Sequence, residues 1–256
     1  MHKKGGRTMD AQKIRELARM LAASRRAVFF GGAGVSTESG IPDFRSTDGL
    51  YHQQWRYPPE TILSHDFFRV KTGEFYDFYR KKMLFPAARP NPAHEALAAL
   101  EKKGILAAVI TQNIDGLHQA AGSKNVIELH GSVLRNFCTR CGKSFNMEEI
   151  LHSEDIPRCS CGGVIKPDVV LYGEQLPADA IENALDAIAR ADLMIIGGTS
   201  LAVYPAASFA EDYRGPLVII NKSPTSMDRR ADLVIDAPIG QTLKETMACL
   251  ENDAKS

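Results

Sequence analysis

The sequence predicts an α/β fold in which one doubly wound, parallel sheet carries two insertions. Short apolar runs of strand length recur along the chain, with amphipathic helical stretches between several of them, as in strand–helix–strand units. The first run ends in Gly31-Gly32-Ala33-Gly34, a tight turn at the carboxyl end of a buried strand. Two segments break the alternation: residues 46–90, rich in aromatic and basic side chains, and residues 135–164, which hold four of the five cysteines.

A chain of 256 residues with 44% apolar composition can bury the core of one large domain with a small appendage. Its 31 basic and 31 acidic residues balance, so no global charge draws it to nucleic acid or to an anionic membrane. Charged partners are met locally, and no direct nucleic-acid binding is expected. The first ten residues are polar and basic, and no apolar run approaches the roughly 20 residues that span a bilayer, so no membrane partner is expected and the expected compartment is the cytoplasm. There is no internal repeat or low-complexity segment.

In chain order, Ile14, Leu17, Ala18 and Leu21 recur at three- and four-residue spacing, which predicts a helix from Asp10 to Ser24. Ala27 to Phe30 is the first strand. The turn after it, Gly32-Ala33-Gly34-Val35-Ser36-Thr37, has the first two glycines of a dinucleotide fingerprint and Thr37 where the third belongs. Such glycines let backbone approach a pyrophosphate, and a helix starting there would offer free N–H groups to it. A turn that binds nothing accounts for the same residues. Ser39-Gly40-Ile41-Pro42-Asp43-Phe44-Arg45 then sets an aromatic ring and a guanidinium beside the turn. Arg45 can neutralise phosphate through paired hydrogen bonds, and Phe44 can cover a ligand ring.

Residues 46–90 read as loop plus short helices, and the polar residues and Gly49 of the 46–56 stretch point to mobility. Pro92 to Lys103 is a helix with Gly104 as its stop, and Leu106 to Ile110 is a strand. That strand runs straight into Thr111-Gln112-Asn113-Ile114-Asp115-Gly116-Leu117-His118, a density of polar groups that is costly at a sheet edge unless it binds something. Val126 to Leu129 ends in His130-Gly131. An imidazole there can take a proton from a hydroxyl at neutral pH, although a structural histidine accounts for the position too. His94, ahead of a helix, and His118 lack that strand-end setting.

Cys138 and Cys141 form a C-x2-C pair, and after 17 residues Cys159 and Cys161 form a C-x-C pair. In a reducing compartment this clustering favours metal over disulfide, and four thiolates close a tetrahedral zinc site with no position left for water or substrate. One structural Zn2+ is expected. Cys249, in a C-terminal helix, reads as a buried apolar residue. Arg135, Arg140, Lys143 and Arg158 give the cysteine segment positive charge, which a solvated face explains. Further on, Ala178 to Arg190 predicts a helix with Ile181, Leu185 and Ile188 facing inward. Leu193 to Ile196, Leu217 to Ile220 and Leu233 to Ile235 complete the strands. Asn221, ending one of them, suits either a ribose contact or a plain turn.

Together Gly32-Ala33-Gly34-Val35-Ser36, Gly40-Ile41-Pro42-Asp43-Phe44-Arg45, Thr111-Gln112-Asn113-Ile114-Asp115, His130-Gly131, the cysteine pairs and Gly198-Thr199-Ser200-Leu201 resemble the sirtuin family of NAD-dependent protein-lysine deacylases, in its bacterial form. The motifs follow the family's order and cover the chain from about Ala11 to Leu243. The resemblance implies a Rossmann-like NAD-binding domain built from residues 10–45, 91–134 and 165–250. It also implies a helical insertion at 46–90 and a zinc-binding insertion at 135–164, with NAD and acyl-lysine meeting in the cleft between these parts.

Carried over by position, the resemblance implies that Ala33, Thr37, Phe44 and Arg45 line the dinucleotide site, completed by Gln112, Thr199, Ser200 and Asn221. Ile114 and Asp115 would hold the nicotinamide carboxamide, Asn113 would stand beside the reacting ribose, and His130 would be the general base. Gly173 and Glu174, within Val170 to Glu174, and Val203 and Tyr204, within Leu201 to Tyr204, would border an acyl-lysine peptide that adds as a strand. The partners implied are acyl-lysine proteins or peptides, and the products are nicotinamide, free lysine and O-acyl-ADP-ribose.

The chain departs from the family in its C-x-C pair. It also lacks the Tyr-x-x-Arg pair of members that prefer succinyl- or malonyl-lysine: Tyr79 stands third after Tyr76, and Arg80 is displaced by one residue, about 100° around a helix. Acetyl or another neutral acyl group is therefore expected. The alternatives are an ADP-ribosyltransferase, which shares the NAD cleavage, and a non-enzymatic zinc-ribbon binding module. A hydride-transfer dehydrogenase lacks both the third glycine and the acidic strand end it needs.

Overall fold

The computed structural model describes residues 10–46, 49–52 and 54–253. The polar N-terminal stretch before Asp10, and positions 47, 48 and 53 of the loop expected to be mobile, lie outside the described residues. The helix α1, Ala11–Ala23, starts where the Asp10 carboxylate accepts the amides of Gln12 and Lys13, and it buries Ile14, Leu17, Ala18 and Leu21. β1 follows at Ala27–Gly31. The first insertion supplies three short helices, α2 at Pro59–Ile62, α3 at His65–Val70 and α4 at Thr72–Lys82. α5, Pro92–Lys102, opens on Asn91 in a reciprocal cap: the Asn91 side chain accepts the Ala93 amide, and the His94 ring accepts the Asn91 amide. Then come β2 at Leu106–Thr111, α6 at Leu117–Ala120, β3 at Val126–Glu128, β4 at Gly131–Cys138, β5 at Ser144–Asn146, α7 at Met147–Leu151 and β6 at Ile165–Val169. The chain ends through α8 at Ala178–Ala189, β7 at Leu193–Gly197, α9 at Ala206–Glu211, β8 at Leu217–Ile220, β9 at Leu233–Ile235 and α10 at Ile239–Asp253.

Six strands form a parallel sheet in the order β3-β2-β1-β7-β8-β9. Successive residues of β1 pack on opposite faces. Val28 and Phe30 meet α8 and α9 through Ala184, Ile188 and Ala207, while Ala27 and Phe29 meet α1, α5 and α10 through Leu17, Leu97 and Leu243. Burying such Leu, Val or Phe side chains contributes about 1.5–3 kcal/mol each relative to exposure. Strand order turns outward in both directions from β1 and β7, so the crevice at their carboxyl ends is the place where a doubly wound sheet takes its ligand.

Two expectations are corrected. Leu185 points outward at 43% exposure, because Ala180, Ala184 and Ile188 form the inward stripe of α8 at four-residue spacing and Leu185 lies off it. No α-helix starts at the glycine turn: Ala33–Val35 and Thr37–Ser39 are single 3-10 turns, because Ser36 between them leaves helical backbone at φ -95°, ψ 1° and Gly40 ends the second at φ 83°.

The second sheet is antiparallel, β5-β4-β6, with a register shift between Ser132 and Asn136. Its core is shared with the helical insertion. Phe68, Phe75, Tyr76 and Phe78 pack with Val133, Cys138, Cys159 and Ile165 in one cluster, separate from the two that flank the large sheet. The two insertions therefore stack on each other at one end of the sheet.

Candidate active site

The first wall of the site is the turn after β1. Gly34 donates its amide to the Gly198 carbonyl at 2.8 Å, and a Cβ on Gly34 would lie 2.8 Å from both the Cα and the oxygen of Gly198. Only glycine permits that approach of two backbones across the β1–β7 switch point. Thr37 Oγ1 donates to the Gly34 carbonyl at 3.0 Å, and Ala33 and Thr37 are half-buried at the crevice. The Asp43 carboxylate accepts the amides of Arg45 and Ser46, a local turn that presents Arg45 to solvent and leaves Phe44 edge-on to Tyr51.

Ser36 is the hub of the second wall. Buried at the turn, it donates through Oγ to Asp115 Oδ2 at 2.6 Å and accepts from Asn113 Nδ2 at 3.0 Å. His94 Nε2 lies 3.5 Å from the same oxygen. Since His94 Nδ1 accepts the Asn91 amide at 3.2 Å, the ring proton sits on Nε2 and faces Ser36. Asp115 Oδ1 accepts the Leu117 amide, and Asn91 Nδ2 donates to the Val35 carbonyl and to Ser39. Burial pulls the His94 pKa down to about 4 against the opposing Asp115 charge, so the ring is neutral. Ser36, Asn91 and His94 are the residues that sequence reasoning left out. The signal was present in Asn91-Pro92-Ala93-His94, whose capping spacing buries the histidine.

His130 stands at the carboxyl end of β3. Its Nδ1 donates to the Gln112 carbonyl at 3.0 Å, which leaves Nε2 of the neutral ring as a proton acceptor. Burial lowers its pKa, and the Gln112 bond offsets part of that. Gly131, at φ 73°, would drive a Cβ into the Asp168 carbonyl, so glycine is required where the chain turns from β3 into β4. Val170 donates its amide to the His130 carbonyl, and Val133 to the Ile114 carbonyl. These bonds tie the imidazole and half-buried Ile114 to the second sheet.

Gln112 Nε2 donates to buried Thr199 at 3.4 Å, and Ser200 is exposed beside it. Asn221 is half-buried with Nδ2 on the Ser223 carbonyl at 2.7 Å, a turn contact at the strand end. Gly173, at φ 89°, has open space around it, whereas the Glu174 carboxylate is taken up by His65 Nδ1, Lys166 Nζ and the Leu171 amide. Burial raises the Glu174 pKa, and these three partners outweigh it, holding the carboxyl below its ordinary range. Glu174 thus secures the 170–174 loop from within. Val203 is half-buried, and Tyr204 is exposed with its hydroxyl on Glu211. Arg80 donates to the Asp155 carbonyl beside the zinc module, while Tyr76 and Tyr79 are fully buried.

The four cysteine sulfurs lie within 4.8 Å of one another, with Cys138 to Cys161 at 3.4 Å and Cys141 to Cys159 at 3.7 Å. Thiolates at about 2.3 Å around a tetrahedral zinc are about 3.8 Å apart, so the set fits that ion. The contracted pair reaches because Gly162 and Gly163 form a tight return behind it, and a Cβ at Gly163 would strike Cys138 Sγ. Four thiols fill the coordination, so the ion is structural.

The model of the Sir2 family matches residues 32–205. The "NAD-dependent protein deacetylase" of Clostridium acetobutylicum is 56% identical over 237 residues, covering 91% of this chain and 97% of that protein. A solved Sir2 structure with a p53 peptide and NAD+ superposes with a TM-score of 0.82 at 43% identity, covering 95% of this chain and 99% of that chain. Another, Sir2Tm bound to a propionylated peptide, superposes with a TM-score of 0.82 at 42% identity, covering 95% and 100%.

Proposed function

The chain belongs to the Sir2 family and is an NAD-dependent protein deacetylase, and on that premise we propose that the crevice between the large sheet and the stacked insertions removes acetyl, or another neutral acyl group, from protein lysine. The observation that carries this is the convergence of the Ser36 hub and the His130 imidazole on one crevice at the carboxyl ends of β1, β2 and β3.

NAD, when bound, supplies a ribose carbon that becomes electrophilic as nicotinamide leaves. Ala33, Thr37, Phe44 and Arg45 hold the dinucleotide, with Gln112, Thr199, Ser200 and Asn221 at its far side. Asp115, fixed by Ser36 and the Leu117 amide, orients the carboxamide together with Ile114. Asn113 stands beside the ribose. His130 Nε2, unprotonated because Nδ1 is spent on Gln112, takes a proton from a ribose hydroxyl. The peptide adds as a strand between Gly173–Glu174 and Val203–Tyr204, and closing around both partners excludes water. The products are nicotinamide, free lysine and O-acetyl-ADP-ribose.

Among the described residues no helix is long and apolar enough to cross a membrane. A cytoplasmic site of action is part of the same proposal, since five cysteines with no disulfide among them suit reducing surroundings.

The test is incubation with acetyl-lysine peptide, with and without NAD, following peptide mass and nicotinamide. His130→Ala is expected to lower kcat by about 10²–10⁴-fold, the range of a lost general base. Nicotinamide release without deacetylation, with label from NAD on protein, would instead assign ADP-ribosyl transfer. Arg80 is committed to Asp155, so acetyl-peptide is expected to exceed succinyl-peptide in kcat/KM, and the reverse order would sink the neutral-acyl proposal.

A further inference from the structure

We propose that the hydrogen bond between the hydroxyls of Tyr51 and Tyr172 couples the two substrate sites, making Tyr51 a positioning residue for the peptide edge; this rests on the assignment of both sites given above. The two oxygens lie 2.6 Å apart across 121 residues of chain. On one side, Tyr51 belongs to the dinucleotide segment. Its amide donates to the Phe44 carbonyl at 2.9 Å, Leu50 donates to Asp43 at 2.8 Å, Phe44 packs edge-on against its ring, and Arg45 lies over that ring at 5.4 Å. On the other side, Tyr172 belongs to the peptide edge, next to Gly173. Its backbone is held by Leu63 and His65, each at 2.9 Å, so its main chain is fixed without the hydroxyl.

A ligand that orders Phe44 and Arg45 therefore orders Tyr51, and Tyr51 holds the Tyr172 side chain beside Gly173. The same contact transmits the effect in reverse, because coupling between two binding sites is reciprocal. The bond is not needed to satisfy burial. Tyr172 is 40% exposed and Tyr51 half-buried, so water can replace either hydroxyl, and the stability of the fold and the coupling of the sites are separable.

The experiment measures, by calorimetric titration, the affinity of an acetyl-lysine peptide with and without saturating ADP-ribose, and takes the ratio. In the wild-type protein ADP-ribose is expected to tighten peptide binding. Tyr51→Phe and Tyr172→Phe are each expected to cut that ratio by about three- to tenfold, the effect of one net hydrogen bond, and the double variant to cut it no further. Thermal midpoints should stay within about 2 °C, since a half-exposed bond contributes little to folding. A wild-type ratio of one or less, an unchanged ratio in either single variant, or additive losses in the double variant would overturn the coupling. Failure of the wild-type protein to bind ADP-ribose or peptide at all would overturn the assignment of the cleft itself, which separates the two failures.

Discussion

His94 and His118 lie edge to face beneath the glycine turn, centroids 4.7 Å apart, and differ from His130 in having no solvent-facing acceptor. His118 is 1% exposed, and neither of its nitrogens has a partner among the described residues. Burial, and then the neighbouring His94, pull its pKa down to about 3. In the unfolded chain both rings titrate near their ordinary value, about 6.5. Between that pH and their folded values the unfolded state binds more protons, so stability is complete above pH 6.5 and declines as pH falls toward 4. His118→Phe removes one such group and the unsatisfied nitrogens. It should raise the thermal midpoint at pH 5 by more than at pH 7.5, by a few degrees, as about 1–3 kcal/mol per relieved group implies. Equal shifts at the two pH values in melts followed by circular dichroism would refute this. His94 carried a signal in the sequence through the capping spacing from Asn91, whereas His118 carried none. The burial of His118 depends on what packs over it, here β1's Phe29 and the His94 ring, and spacing does not carry that.

The strands were the legible elements: each apolar run from Ala27 onward became a strand of the parallel sheet, with ends moved by one residue at most. A buried parallel strand needs only a short β-prone apolar stretch, which sequence displays directly. The glycine turn was half legible. Its close approach to Gly198 follows from residue type, but its bend into 3-10 turns depends on Ser36 bonding Asp115 and Asn113 from another strand end. The zinc module shows a similar division. Its ligands were readable from spacing, whereas the stacking of Cys138 and Cys159 on the aromatic residues of α4 was not. Because that core is shared, metal loss should be felt beyond the module. Cys161→Ala, or chelation of the wild-type protein, is expected to abolish a one-to-one zinc content and lower the thermal midpoint by about 10 °C, equivalent to roughly 3 kcal/mol at this chain length. A zinc-free protein that melts where the loaded one does would contradict it.

What no local pattern could show is how the large sheet and the stacked insertions are held in register around the cleft, since that depends on side chains far apart in sequence. Arg135 is the clearest case. The sequence offered it as a solvated charge, yet it donates through Nη1 to Glu128 at the end of β3 and through Nε to Asp168 in β6, both at 2.8 Å. Glu128 is in turn held by Gln119, and His130 lies two residues beyond it. Asp168 pairs in register with Ser132, two residues beyond His130 on the other side. One guanidinium thus brackets the imidazole from both sheets. Its side chain is 55% exposed, and ion pairs of that kind contribute about 0–1 kcal/mol to stability each, so folding does not depend on it. Positioning does, because small displacements of His130, the proposed general base, cost far more in rate than in stability. Arg135→Gln is therefore expected to lower kcat/KM for acetyl-peptide by about tenfold while shifting the thermal midpoint by no more than about 4 °C, whereas Arg135→Lys, which keeps the charge but not the two-pronged fork, should recover only part of the loss. Full activity in Arg135→Gln would mean that the backbone bonds from Val170 to His130 and from Val133 to Ile114 hold the two sheets together unaided.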